Sequence, residues 1–211
     1  MDLISNFFYV FLHIDKFLGA FIGEYGLFIY LILFIIIFCE TGLVIIPFLP
    51  GDSLLFAAGA FAALGDLNIV ILIIFLGLAA ILGDTVNYHI GRYLGPKVLK
   101  DDNKFLKKEY IDKTNKFYET YGGKTIILAR FMPIIRTFAP FVAGVGKMNY
   151  KKFITFNAIG GIVWVSGISL IGYSFGNIPF VEKNFSIVII AIIMISLLPA
   201  IFELIKNKFF K

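Results

Sequence analysis

ETGLVIIPFLPGD at residues 40–52 and RFMPIIR at residues 130–136 set carboxylates and guanidinium groups beside prolines inside apolar stretches. A charged side chain at mid-bilayer costs about 2.5 to 3.5 kcal/mol on insertion scales, so it persists where it is paired or solvated for a function. Glu40, Asp52, Arg130 and Arg136, all next to helix breakers, point to a binding site for an anionic group inside a membrane protein.

The bulk composition agrees. Of 211 residues, 59% are hydrophobic and 16% charged, with a mean hydropathy of +0.90, whereas charged residues make up about a quarter of a soluble domain. With no Ser/Gly/Pro linker and no low-complexity tail, residues 1–211 read as a single membrane domain. The lone cysteine, Cys39, excludes an intrachain disulfide framework and reads as a small hydrophobe. No metal-ligand cluster occurs, so no metal and no cofactor are expected, and no nucleic-acid partner either.

Residues 1–23 are expected to carry no cleavable signal, because His13, Asp15 and Lys16 interrupt the apolar stretch. Leu3, Phe7, Val10, Phe11, Ile14, Phe17, Leu18 and Phe21 recur at helical spacing, which predicts an amphipathic interfacial helix, with His13 at headgroup level. Crossing the hydrocarbon takes about 20 mostly apolar residues. Four runs satisfy this: 25–46, 67–90, 153–175 and 185–204. Residues 47–64, broken by Pro47, Pro50 and Gly51, and 125–146, broken by Pro133 and Pro140, do not, and both read as re-entrant hairpins.

Basic residues test this parity. Arg92, Lys97, Lys100, Lys104, Lys107, Lys108, Lys113, Lys116 and Lys124 precede the second hairpin, and Lys147, Lys151 and Lys152 follow it. If 125–146 crossed the membrane these clusters would face opposite compartments, against the positive-inside rule; as a hairpin it returns them to one side. The second hairpin then enters from the cytoplasm, the first from outside, and both termini are cytoplasmic. FLPGDSLLFAAG (48–59) also resembles FMPIIRTFAPFVAG (131–144), each followed after about 40 residues by a Gly-x-x-x-Gly, GRYLG (91–95) and GYSFG (172–176). Two such units of opposite orientation form an inverted repeat, a plan of transporters whose site lies at the midplane. The expected fold is therefore all-α and polytopic, with about four transmembrane helices and two opposed re-entrant hairpins.

Opposed hairpins would bring Glu40 and Asp52 toward Arg130 and Arg136 in a wet or protein-lined cavity. Guanidinium groups keep their charge on burial and offer a fork of donors matched to phosphate. Carboxylates among them suit reversible protonation. The same four groups also suit a salt-bridge network that only holds the hairpins together, and neither reading excludes the other. Asp84 divides between helix-end solvation and a secondary proton path, and His89 reads as interfacial. Residues 97–121 suggest either an amphipathic helix on an anionic leaflet or a solvated linker. Trp164, with Gly160 and Gly161, reads as helix packing, at a position from which an indole could touch substrate.

ETGLVIIPFLPGDSLLFAAG with GDTVNYHIGRYLG, then ARFMPIIRTFAPFVAGVGKM and NAIGGIVWVSGISLIGYSFG, resembles the DedA family of bacterial inner-membrane proteins, relatives of the eukaryotic VTT-domain lipid scramblases, over about residues 25–176. The resemblance implies lipid translocation in the bacterial cytoplasmic membrane. It names undecaprenyl phosphate recycling first and phosphatidylethanolamine movement second, often linked to the proton gradient. It also implies functional roles for the positions matched by Glu40, Asp52, Arg130 and Arg136; where many members have Pro-Gly-Glu, this chain has Pro50-Gly51-Asp52.

The resulting expectation is a flippase for a phosphate-headed lipid, with Arg130 and Arg136 on the headgroup and Glu40 and Asp52 exchanging protons. Its partners are membrane phospholipids and a polyprenyl phosphate, with a homo-oligomer among the open options. A phospholipid flippase or scramblase is the alternative in the same class. An intramembrane lipid phosphatase or a structural assembly factor belongs to other classes. No histidine or cysteine accompanies the charged positions to act as a nucleophile, so no catalytic residue is assigned.

Overall fold

The computed structural model describes residues 14–43, 51–98, 118–179, 181 and 188, and every regular element among them is helical. The long helices are α1 (Ile14–Gly42), α3 (Ile69–Val98) and α6 (Tyr150–Gly176). Shorter ones are α2 (Gly51–Ala63), α4 (Thr125–Ala129, after a 3-10 turn at Gly122–Lys124) and α5 (Pro133–Val145). Ile69–Leu94 and Tyr150–Gly176 are long and apolar enough to cross a membrane. The 13 residues of α2 give about 20 Å of helix, short of a hydrocarbon core of about 30 Å. Most of the expected interfacial helix 1–23, the Pro47–Pro50 turn, most of 97–121 and all but residue 188 of the span 185–204 lie outside the described residues.

The chain gathers into two compact units. One draws on Met1–Ile32, Pro50–Leu72 and Gly167–Lys211, the other on Leu33–Leu49 and Ile73–Ser166. Each contains a short helix, a left-handed stop, an asparagine cap and a crossing on glycine. In the first unit α2 ends at Gly65, whose φ is 89°; the N–H of Asp66 reaches the carbonyl of Phe61 and that of Gly65 the carbonyl of Ala62, the two bonds of a Schellman stop. Asn68 Oδ1 then accepts from the N–H groups of Val70 and Ile71 at 2.9 and 3.1 Å, capping α3. In the second unit α5 stops at Lys147, with a φ of 53°, Met148 N–H bonds Ala143 and Lys147 N–H bonds Gly144. Asn149 Oδ1 caps α6 through Lys151 and Lys152 at 3.0 and 3.3 Å.

The crossings repeat as well. In the first unit a Cβ on Gly59 would sit 2.1 Å from the carbonyl oxygen of Ser169, and one on Gly172 2.1 Å from that of Phe56. In the second, a Cβ on Gly144 would sit 2.0 Å from the carbonyl oxygen of Tyr88, and one on Gly91 2.1 Å from that of Phe141. Each glycine thus faces the carbonyl three positions before its opposite number. The first glycine of each Gly-x-x-x-Gly, Gly91 and Gly172, makes a backbone-to-backbone contact, as small residues at membrane helix interfaces permit. Overpacked cores lose about 1 to 3 kcal/mol, so Gly59→Ala and Gly144→Ala are each expected to lower the unfolding midpoint in detergent. Gly77→Ala and Gly167→Ala, with no described atom within 4 Å of the new Cβ, should be neutral or gain helix propensity of about 0.5 to 1 kcal/mol. Equal midpoints for all four variants would contradict the crossing geometry.

In the second unit, residues 125–146 form two helices broken at Arg130–Met132. Proline restricts the residue before it to extended backbone, and Met132 duly sits at φ −121°, ψ 106° with Pro133 opening α5. The N–H groups of Arg130, Phe131 and Met132 reach back three residues to Ile127, Leu128 and Ala129, so α4 tightens and stops. The α1 segment of this unit meets α3 where Gly83 leaves room for the Thr41 hydroxyl.

Polarity is reversed relative to a soluble protein. Val70, Ile74, Leu78, Leu82 and Val86 form an exposed apolar stripe on α3 at spacings of four residues, whereas Glu40, Asp84, Asn87, Arg130, Arg136 and Asn157 are buried. Exposed apolar surface of this extent is stable against lipid, not water. The protein is a membrane protein.

Candidate functional site

Two ion pairs lie inside the second unit. Arg130 caps α4 and donates from Nη2 to Asp84 Oδ2 on α3 at 2.5 Å. The same nitrogen donates to Asn157 Oδ1 on α6 at 2.5 Å. Asn157 is fixed in turn, its Nδ2 donating to the Ile81 carbonyl at 2.9 Å. Arg136, on the first turn of α5, donates from Nη2 to Glu40 Oε1, near the end of α1, at 2.5 Å. A cation at a helix start is disfavoured by the aligned peptide dipoles, and the Glu40 carboxylate compensates it.

Side-chain exposure is 2% for both members of the first pair, and 4% and 0% for Arg136 and Glu40. Such pairs gain Coulomb energy against a large desolvation cost. Arg130 Nε and Nη1, together with Asp84 Oδ1, are buried and have no hydrogen-bond partner among the described residues.

Trp164 on α6 joins the two pairs. Its ring centroid lies 5.8 Å from the Arg130 Cζ and 5.0 Å from the Arg136 Cζ, so one indole receives both cations. Room for this comes from Gly160, where a Cβ would sit 3.1 Å from Arg130 Cδ, and from Gly161, where one would sit 3.4 Å from Nη2. Asn87 braces the arrangement, donating to the carbonyls of Thr41 at 3.0 Å and Thr137 at 2.8 Å. Below it, Tyr88 stacks on Phe153 at 4.4 Å and its hydroxyl donates to the Met148 carbonyl. Tyr118 donates to the Ala139 carbonyl at 2.9 Å.

Of the residues singled out from sequence, Glu40, Arg130, Arg136, Asp84 and Trp164 fall within this unit. Asp52 lies in the other unit, exposed on the first turn of α2. The expectation for Asp84 changes most: it is not a solvated helix-end group but the buried partner of Arg130. His89 is exposed and packs against Tyr150 at 5.4 Å. Asn87 and Asn157 went unread in the sequence. A signal for both exists, because Asp84, Asn87 and Gly91 on α3, and Asn157, Gly160, Gly161 and Trp164 on α6, recur at three- and four-residue steps and so line one helix face. No group of three or more metal-ligating side chains occurs among the described residues.

Residues 49–174 match the model of the VTT domain. Protein DedA of Escherichia coli strain K12 is 53% identical over 211 residues, covering 99% of this chain and 96% of that protein. The inner membrane protein YghB of the same strain is 34% identical over 86% of each chain. An uncharacterized membrane protein of Mycobacterium tuberculosis strain H37Rv is 48% identical over 79% of this chain and 74% of its own. No solved structure matches the chain.

Proposed function

This chain belongs to the VTT-domain family together with the DedA proteins, and on that premise we propose that it carries a phosphate-headed lipid, undecaprenyl phosphate first among candidates, between the leaflets of a bacterial cytoplasmic membrane. Arg130 and Arg136 hold the headgroup, and Glu40 and Asp52 exchange protons. The observation that carries this reading is a pair of buried guanidinium groups sharing the indole ring of Trp164, each pinned at one Nη by a carboxylate. Guanidinium forks match phosphate oxygens, and the carboxylates act as stand-ins that leave when the phosphate arrives.

The architecture proposed with it has four transmembrane helices and two opposed re-entrant segments, 47–64 and 125–146, with both termini cytoplasmic. The repeated stop, asparagine cap and glycine crossing of the two units support an internal repeat. A helix pair broken at Arg130 supports irregular backbone that lines a polar interior, the one setting in which a membrane tolerates it. Transport rather than hydrolysis is favoured by the site's composition: arginine, carboxylate, amide and indole, with no histidine beside them among the described residues to serve as general acid or base.

The test is reconstitution. Purified protein in vesicles should move undecaprenyl phosphate between leaflets, an imposed pH gradient should bias the direction, and Glu40→Gln and Asp52→Asn should remove the bias because an amide does not titrate. Phosphate release in the same assay would instead identify a lipid phosphatase. Vesicles in which no phosphate-headed lipid moves faster than in protein-free controls would reject the proposal.

A further inference from the structure

Glu40, Asp84, Arg130 and Arg136 are two anions and two cations, so the buried cluster is neutral as it stands. A phosphate entering it brings negative charge that these four groups do not balance, and uncompensated charge is costly in a buried, low-dielectric site. The inexpensive source of compensation is protonation of the carboxylates already there. We infer that Asp84 is a third proton-exchanging group: the lipid phosphate displaces it from Arg130, and it takes up a proton as it lets go, as Glu40 does at Arg136.

The balance is one proton taken from water for each negative charge the phosphate brings. No covalent bond to phosphorus forms or breaks. Three features equip the Asp84 side of the cluster for this exchange. Asp84 Oδ1 is buried with no hydrogen-bond partner among the described residues, a position where an added proton costs no existing bond. Arg130 Nε and Nη1 are likewise unpartnered and form the donor edge that a phosphate would occupy. Asn157, which cannot titrate, accepts from the same Nη2 as Asp84 at 2.5 Å, so Arg130 stays anchored when the carboxylate is neutralised. Asn157 is on this account a positioning residue.

Among the described residues, the other charged or titratable groups that bear on Asp84 are Arg130, Arg136 and Tyr118; Arg136 faces Glu40. The hydroxyl of Tyr118 is committed to the Ala139 carbonyl.

This inference rests on the phosphate reading of the site, and its test does not depend on movement between leaflets. The full-length protein in detergent micelles is titrated with farnesyl phosphate in weak buffer at about pH 8, where a phosphomonoester with a second pKa near 6 is a dianion. By proton linkage the wild type should take up about two protons per bound phosphate, and Asp84→Asn and Glu40→Gln about one each. Equivalently, wild-type Kd should rise about 100-fold per pH unit above neutrality and the Asp84→Asn Kd about tenfold. Uptake in Asp84→Asn equal to wild type, or a fall confined to Asp52→Asn, overturns the inference while leaving the phosphate site intact. If Asp84→Asn does not fold, Asp52→Asn and Glu40→Gln decide: two protons per phosphate in Asp52→Asn with one in Glu40→Gln upholds the inference, and one proton or none in Asp52→Asn or in the wild type overturns it. Failure of the wild type to bind farnesyl phosphate rejects the proposed function itself.

Discussion

Arg136→Lys and Arg130→Lys are each expected to cut lipid movement about 10- to 100-fold while the protein still inserts, the loss corresponding to one charge-assisted hydrogen bond of about 1.5 to 3 kcal/mol. Lysine keeps the positive charge, so Glu40 and Asp84 retain a counter-ion. It loses the planar fork, and with it the ability to hold a carboxylate on one nitrogen while presenting others to phosphate. Arg130 is the more demanding position. Its Nη2 serves Asp84 and Asn157 together, its stem lies across Gly160, and its guanidinium faces Trp164, so an ammonium on a shorter stem matches few of these contacts. Vesicle flux of undecaprenyl phosphate, normalised to inserted protein, measures the effect. Wild-type flux in both lysine variants would mean that only charge neutralisation matters at these positions.

Removing one member of a pair is expected to have the largest effect on stability. Arg130→Gln leaves the Asp84 carboxylate buried without its cation, a change that costs about 3 to 5 kcal/mol in buried pairs. Adding Asp84→Asn to it removes the orphaned charge and should recover most of that loss, since two amides and Asn157 can bond one another. A double-mutant cycle on unfolding midpoints in detergent reads the coupling directly. Strict additivity of the two changes would contradict the 2.5 Å pair. The doubly substituted protein separates stability from activity, because a well-folded Arg130→Gln/Asp84→Asn variant should still be inactive in transport. Full activity in it would leave the pair with a structural role only.

Much of the architecture was legible in the chain. Apolar runs of membrane-spanning length, the helix-breaking pair Met132–Pro133 and the repeated Gly-x-x-x-Gly follow from local rules: hydrocarbon thickness, the steric restriction before proline, and the absence of a Cβ. Arg130, Arg136 and Glu40 stood out because charge in an apolar run is costly wherever the run goes. The family followed from the same stretches, which carry the motifs of the VTT domain.

Pairing was not legible. The sequence grouped Asp52 with the arginines because it neighbours Pro50, yet it is Asp84, from a span whose end looked interfacial, that meets Arg130. A one-dimensional pattern reports which residues share a helix face but not which face a second helix presents to it. That rotation is set by where two backbones can touch. Gly91 and Gly144 allow α3 and α5 to approach until carbonyl oxygens stand where side chains would otherwise be, Gly83 lets α1 close on α3, and Gly160 with Gly161 clears the bed for the Arg130 stem. Composition and periodicity determined that this protein is helical, lies in a membrane and buries charge. Which carboxylate holds which guanidinium was decided by close packing in three dimensions, because ion pairs of 2.5 Å require the helix rotation and spacing that the glycine crossings permit.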